Sequence, residues 1–330
     1  MSTPSIRPIP ARRRALARRL AGLATACAAS VLLVTGASAA DAAVVGTLYD
    51  DPGTSADAWV GAHGSDPRAA LIRARIAEQP TARWITTPDA AAAARSVSDH
   101  AGAARAAGAV PVLVAYALPD RDCGGASAGG VNGLAGYDGW VAAFAGALGQ
   151  GPSIVLLEPD SLALQDCLSA DRAARRGAAL SRAVSTIVQR SPQARVFLDG
   201  GHSAWHSPAV QAERLRAAGV GKAAGFFSNV SNFRATADEL AYGRALRGIL
   251  GDRVQQLVDT SRNGRGPAGT EWCDPAGRGV GESPTLDTGD PAVAGYVWVK
   301  PPGEADGCAA AAGTFVPALA HELAGGAARR

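Results

Sequence analysis

Ile154-Val155-Leu156-Leu157-Glu158-Pro159-Asp160-Ser161 carries an aliphatic run straight into two acids, a proline and a serine. A short apolar run bounded by turn residues fits a strand buried on both faces. The same pattern recurs along the chain. Val110–Leu118 leads into Pro119-Asp120-Arg121-Asp122-Cys123, Arg195–Leu198 into Asp199-Gly200-Gly201-His202, and Ala224–Phe227 into Ser228-Asn229-Val230-Ser231-Asn232. Val254–Val258 precedes Asp259-Thr260-Ser261-Arg262-Asn263, Tyr296–Val299 precedes Lys300, Glu304 and Asp306, and Arg83–Thr86 is a further run. Between them lie Ala- and Arg-rich stretches of helical character, such as Ala90–Ala107, Ala173–Gln189 and Ala209–Ala218. Strands alternating with helices predict an α/β fold with a parallel sheet. About seven such units favour a TIM-like (β/α) barrel over an open sheet. In a barrel all strand C-termini meet on one face, so these acids, amides and the histidine would converge on one rim.

The N-terminus reads as a separate object. Six arginines without an acid precede the apolar run Leu20–Thr35, and Ala37-Ser38-Ala39 follows. Basic, apolar and small-residue regions in that order predict a secretory signal peptide over residues 1–40, cut after Ala39 or Ala40. The apolar run is short for a permanent bilayer span. Taking six arginines from a net charge of +3 leaves a mature chain near −3. Nothing then argues for nucleic acid, which selects a basic surface, nor for a membrane partner after cleavage. Residues 41–330 show one compositional regime, so a single domain is expected, and nothing in the pattern suggests an oligomer.

Cys123, Cys167, Cys273 and Cys308 remain after cleavage. An even count in a secreted chain suggests two disulfides. Three pairings are possible, and the sequence-local Cys123–Cys167 with Cys273–Cys308 is the one expected. Cys-x-x-Cys spacing is absent, and His202 and His206 lack the glutamate of a His-Glu-x-x-His site, so neither a metal nor another cofactor is implied.

A rim rich in Asp, with Trp, Asn, His, Lys and Arg, suits carbohydrate chemistry. One carboxylic acid must stay protonated to release a glycosidic oxygen, and burial or a neighbouring anion raises a carboxyl pKa. Trp rings stack on sugar faces, and amides and charges bind hydroxyls. Seven segments, in order, resemble glycoside hydrolase family 6. They are Val114 to Gly129 with its Tyr-x-x-Pro-x-Arg-Asp-Cys core, Val155–Leu162, Asp199–Trp205, Asn229–Phe233, Asp259–Gly264, Trp272–Pro275 and Trp298–Gly307.

The resemblance implies cellulases with a distorted (β/α) barrel, an inverting mechanism and β-1,4-glucan or cello-oligosaccharide as substrate. It assigns Asp160 as general acid, Asp122 as the aspartate that tunes it, and Asp306 as candidate base. Tyr116 matches the tyrosine that distorts the sugar ring and Ser127 the loop serine that positions water. Trp84, Trp205 and Trp272 match stacking residues, and His202, Asn229, Lys300 and Glu304 match polar substrate contacts. Cys123–Cys167 and Cys273–Cys308 match the family's disulfides. Two positions depart from the pattern: Ala305 stands for Ser or Cys and Gly200 for Ala. The short segment between Asp306 and Cys308 predicts an open cleft and internal cutting rather than a tunnel and exo action as in a cellobiohydrolase.

Competing readings exist for several of these residues. Asp160 could be a helix N-cap, Asp122 could pair with Arg121, and Asp199 and Asp259 could serve loop amides. Trp59, Trp140 and Trp298 read as core. Gly125-Ala126-Ser127-Ala128-Gly129 fits the serine-hydrolase elbow, but that motif needs a strand directly before the serine and a helix directly after. A secreted sugar-binding protein without catalysis would have no reason to keep Asp160 and Asp122.

Overall fold

A computed structural model describes residues 46–327, so the expected signal peptide lies outside the described residues. Seven strands form one parallel sheet in sequence order. They are β1 (Arg83–Ile85), β2 (Val112–Ala115), β3 (Ser153–Leu157), β4 (Ala194–Asp199), β5 (Gly225–Ser228), β6 (Gln255–Asp259) and β7 (Val293–Val297). The sheet curls into a distorted barrel. Its two edges meet where Ala82 N donates to Trp298 O at 2.8 Å and Trp84 Nε1 donates to Val299 O at 2.7 Å.

Helices follow the strands on the outside. Ser55–Ala62 (α1) and Ala69–Ile72 (α2) precede β1. Ala90–Ala106 (α3), Gly133–Leu148 (α4), Ala170–Arg190 (α5), Pro208–Ala217 (α6) and Thr236–Leu250 (α7) follow β1 to β5, and Pro317–Gly325 (α8) closes the chain. Period-two alternation sorts strand side chains between two cores. Val112, Val114, Ile154, Leu156, Phe197, Phe227 and Leu257 fill the barrel interior. Leu113, Ala115, Val155, Leu157, Val196 and Leu198 pack outward with Trp140, Phe144, Leu180 and Ile187 of the helices.

Most strand ends differ little from expectation, but β2 ends at Ala115 rather than Leu118 and β7 begins at Val293 rather than Tyr296. Thr285 and Tyr296 exchange backbone hydrogen bonds, so an antiparallel segment pairs with the edge of β7 there. The glycine-rich stretch after Ser127 becomes helical from Gly133, because Tyr137, Trp140, Val141, Phe144 and Leu148 form a buried i, i+3, i+4 stripe. That helix starts well beyond Ser127, and β2 ends well before it, so no nucleophile elbow forms. Trp140 and Trp298 are core residues, as read, and Trp59 is partly buried against a third cluster with Trp298 and α8.

Candidate active site

Backbone strain marks the rim. Asp120, Asp122, Cys123, Glu158, Asp160, Asn229, Ser231 and Asp274 all have positive φ. They lie in the loops after β2, β3, β5 and β6. L-residues hold that conformation only where the surroundings enforce it, and such positions cluster at functional sites.

Asp160 sits three residues beyond the β3 register pair Leu157–Leu198, in a turn closed by Leu164 N on Asp160 O at 2.8 Å. No helix starts here, so the N-cap reading does not hold. Burial first, and then the charges of Asp199 and Asp122, push the Asp160 carboxyl up to about 8. A carboxyl in that range is a protonated acid at neutral pH.

Asp122 belongs to a second loop, after β2. Its Oδ2 accepts from Ser127 N at 2.7 Å and Ser127 Oγ at 2.9 Å. Since the Ser127 proton points at Asp122, the Tyr116 hydroxyl 2.9 Å away is the donor to Ser127. A proton-ordered chain therefore runs Tyr116 to Ser127 to Asp122. Burial, then Asp160, raises the Tyr116 phenol above its usual range, which keeps it a donor. Arg121 does not pair with Asp122. Its guanidinium donates to Ser127 O at 2.8 Å and to Tyr116 O, and lies over the Tyr116 ring at 4.6 Å. Gly130 lets this loop return, because a Cβ there would collide with Leu118 O.

Asp199 and Asp259 anchor loops. Asp199 Oδ2 accepts from Leu162 N and Ala163 N at 3.0 and 2.8 Å, and Oδ1 from Gly201 N at 2.9 Å. It thus holds the turn behind Asp160 while adding charge beside it. Asp259 accepts from Ser261 N, Val299 N, Lys300 N and Ser231 N at 2.9–3.3 Å, tying three loops together. Burial raises both carboxyls, and the backbone N–H groups oppose that rise.

Asp306 is 8 % exposed. Its carboxylate lies 2.8 Å from Arg262 and 3.4 Å from Lys300, and accepts from Asp274 N at 3.2 Å. Lys300 Nζ also donates to Ala305 O at 3.0 Å, and burial lowers the Lys300 ammonium. Glu304, raised by burial, accepts from Ser55 Oγ at 2.8 Å. Ala305 is fully buried, which explains why a small side chain suits that departure. Gly200 has a similar cause, since a Cβ there would lie 2.7 Å from Phe227 O and 2.8 Å from the Phe226 ring.

His202 Nδ1 accepts from Ala204 N at 3.2 Å, which leaves the ring proton on Nε2 as a donor. Burial, then Arg234, lowers this imidazole to about 4, so it is neutral near pH 7. Trp205 lies beside it with ring centroids 5.1 Å apart. Trp272 is 57 % exposed, as a stacking platform requires. Trp84 is half-buried and meets Tyr116 edge to face at 5.2 Å. Asn229 is placed differently from a sugar contact. It is fully buried, and its amide bonds Asp259 O, Arg234 O and Arg234 N at 2.9–3.2 Å, so its work is to hold the loop. Asn232, half-buried in the same loop, is the amide nearer solvent.

Cys123 pairs with Cys167 and Cys273 with Cys308. The first bridge joins the Asp122 and Asp160 loops, and the second braces the Asp306 loop. Asp274, next to Cys273, accepts from Asp306 N, Cys308 N and Ala309 N at 2.8–3.1 Å. Asp274, Arg262 and Glu158 carry geometry that the sequence did not single out. Asp274 and Glu158 had local signals, the first its place beside a cysteine and the second its place at the end of an apolar run. Among the described residues no cluster of His, Cys, Asp and Glu is arranged to hold a metal. No helix among them is long and apolar enough to cross a membrane.

The model of the family described as Glycosyl hydrolases family 6 matches residues 45–325. Endoglucanase 1 of Streptomyces sp. (strain KSM-9) is 47% identical over 82% of this chain and 76% of its own length. Endoglucanase A of Thermobispora bispora is 42% identical over 94% of this chain and 69% of its own. The endoglucanase of Mycobacterium tuberculosis, solved with methyl-cellobiosyl-4-deoxy-4-thio-beta-D-cellobioside, superposes with a TM-score of 0.81 at 38% identity. That match covers 88% of this chain and 99% of the other.

Proposed function

The chain belongs to glycoside hydrolase family 6, and from that premise we propose that it is a secreted endo-β-1,4-glucanase that inverts the anomeric centre, with Asp160 as general acid. As an enzyme it hydrolyses β-1,4-glucan. The observation that carries the acid assignment is the half-buried Asp160 carboxyl, set near Asp122 and Asp199 and raised to about 8. Such a group holds its proton until the glycosidic oxygen develops charge, then gives it up.

Tyr116, Ser127 and Asp122 stand beside it as a hydrogen-bonded chain. In this reading Tyr116 presses on the sugar ring, Ser127 positions the attacking water, and Asp122 holds the Asp160 proton. Asp306 is the proposed acceptor for the water's proton. His202, Lys300 and Glu304 bind hydroxyls, and Trp84, Trp205 and Trp272 supply the stacking faces. Inversion needs space for water between acid and base, so their carboxyls should stand about 6.5–9.5 Å apart.

Internal cutting is supported by the loop after Asp306. Ala305 N donates to Thr314 O and Gly313 N to Ala305 O, so the loop turns back on its own start. The named endoglucanases among the similar proteins point the same way. Export rests on the N-terminal residues 1–40.

Proton NMR of cellotetraose hydrolysis tests the mechanism. The α-anomer should appear first at the newly formed reducing end. First release of the β-anomer would mean retention and would remove the single-displacement mechanism.

A further inference from the structure

Two loops must hold a fixed relation for Asp122 to act on Asp160, and α5 grips both. Arg176, in its second turn, is 5 % exposed. Its guanidinium donates to Ser161 O at 3.3 Å, the carbonyl next to the acid, and to Pro119 O and Asp120 O at 3.4 and 3.0 Å, just ahead of Asp122. Arg172, one turn earlier on the same face, pairs with the Asp120 carboxylate at 2.5 Å. From the other side the buried Glu158 carboxylate, raised by burial to about 7, accepts from Ala117 N and Leu118 N at 3.0–3.1 Å. An anion therefore collects the N–H groups of the Asp122 loop, and a cation collects the carbonyls of both loops.

We propose that Arg176 is a positioning residue for acid catalysis, setting the Asp160 loop against the Asp122 loop through its three carbonyl contacts. The proposal rests on Asp160 being the acid. A buried guanidinium is costly to place, and only a planar fork can reach carbonyls of two separate loops at once. A lysine carries its three donors on one nitrogen and cannot span carbonyls that the guanidinium reaches through two. Arg176 touches neither substrate nor the reacting atoms, so its effect passes through Asp160 and Asp122. The carbonyls it holds belong to residues with strained backbone or to their neighbours, where a small relaxation would swing the carboxyls.

Leaving groups supply the test. Glucan leaves as a poor alkoxide and needs the proton of Asp160. The phenolate of 2,4-dinitrophenyl β-cellotrioside leaves without it. Arg176→Lys and Arg176→Met should lower kcat on β-1,4-glucan by about 10–100-fold, the scale of a misplaced catalytic group. KM should hold, and the aryl glycoside should be cleaved almost as before. The basic limb of the pH profile on glucan should move to lower pH, as Asp160 loses the repulsion of Asp122. Asp160→Asn serves as the standard for loss of the acid, and Arg182→Met as the control, since it breaks an exposed α5 pair with Asp138. Thermal melting shows that each variant is folded. Equal losses on both substrates in the folded Lys variant, or no loss on either, would overturn the Arg176 proposal. If Asp160→Asn itself keeps full activity on glucan, it is the acid assignment that falls.

Discussion

Asp160 concentrates the chemistry in one side chain, and its raised carboxyl has two measurable consequences. Activity needs the protonated form, so kcat on glucan should fall as pH rises through about 8. The same shift bears on stability. The folded state keeps the proton up to about 8, whereas an unfolded aspartate loses it near about 3.9. Between those values the unfolded state binds fewer protons, so stability drops with rising pH. Asp160→Asn should therefore melt higher than the parent at pH 7, with the gain vanishing below about pH 4. A melting point that does not respond to the substitution at either pH would refute the raised carboxyl. Arg262 is the opposite case. Removing it strands a buried Asp306 beside Lys300 alone, and Arg262→Met should destabilise by about 3–5 kcal/mol in denaturant unfolding. Aspartates at strand ends were legible from sequence, with Asp199 and Asp259 left open between chemistry and loop support. Asp199 and Asp259 turn out to hold amides, and Asn229 to hold a loop, because burial and partner geometry come only with the fold.

At the scale of elements, the sheet was the legible part. Each apolar run became a strand or overlapped one, since period-two burial leaves a plain trace in composition. β7 was misplaced by a few residues; its edge pairs at Tyr296 with the antiparallel segment at Thr285, a tertiary fact. The helix at Gly133 was hidden by the glycines at its start. Close approaches are equally invisible in sequence. Gly225 in β5 sits where a Cβ would collide with the backbone of Gln255 in β6. Gly225→Ala should therefore cost about 3 kcal/mol through strain in the sheet, measurable as a lower denaturant midpoint. The disulfide pairing was readable by locality and resemblance together. Replacing Cys273 and Cys308 with serine should lower stability by about 2–4 kcal/mol. It should also depress glucan activity, because the Asp306 loop hangs on that bridge and on Asp274. Unchanged activity in the folded double variant would show that the loop keeps its shape without the bond.

Seen as a whole molecule, a curled seven-stranded sheet brings loops distant in sequence onto one rim, as the strand-end pattern anticipated. What sequence could not supply was the way those loops are tied to one another. Glu158, Arg176 and Asp274 act through backbone groups, and backbone contacts leave no mark in residue identity. In the proposed reading the short loop after Asp306, pinned back on itself, favours internal cutting. Internal cutting should therefore thin a carboxymethylcellulose solution well before reducing sugar accumulates. A steady release of cellobiose with little loss of viscosity would mean exo action instead.

The most direct test is release of reducing ends from amorphous β-1,4-glucan by the mature protein and by Asp160→Asn. The parent should be active, and the variant should lose about 100- to 10,000-fold, the span of general acid catalysis. Full activity in the variant would contradict the assignment of the proton donor, and an inactive but folded parent would contradict the proposed activity itself.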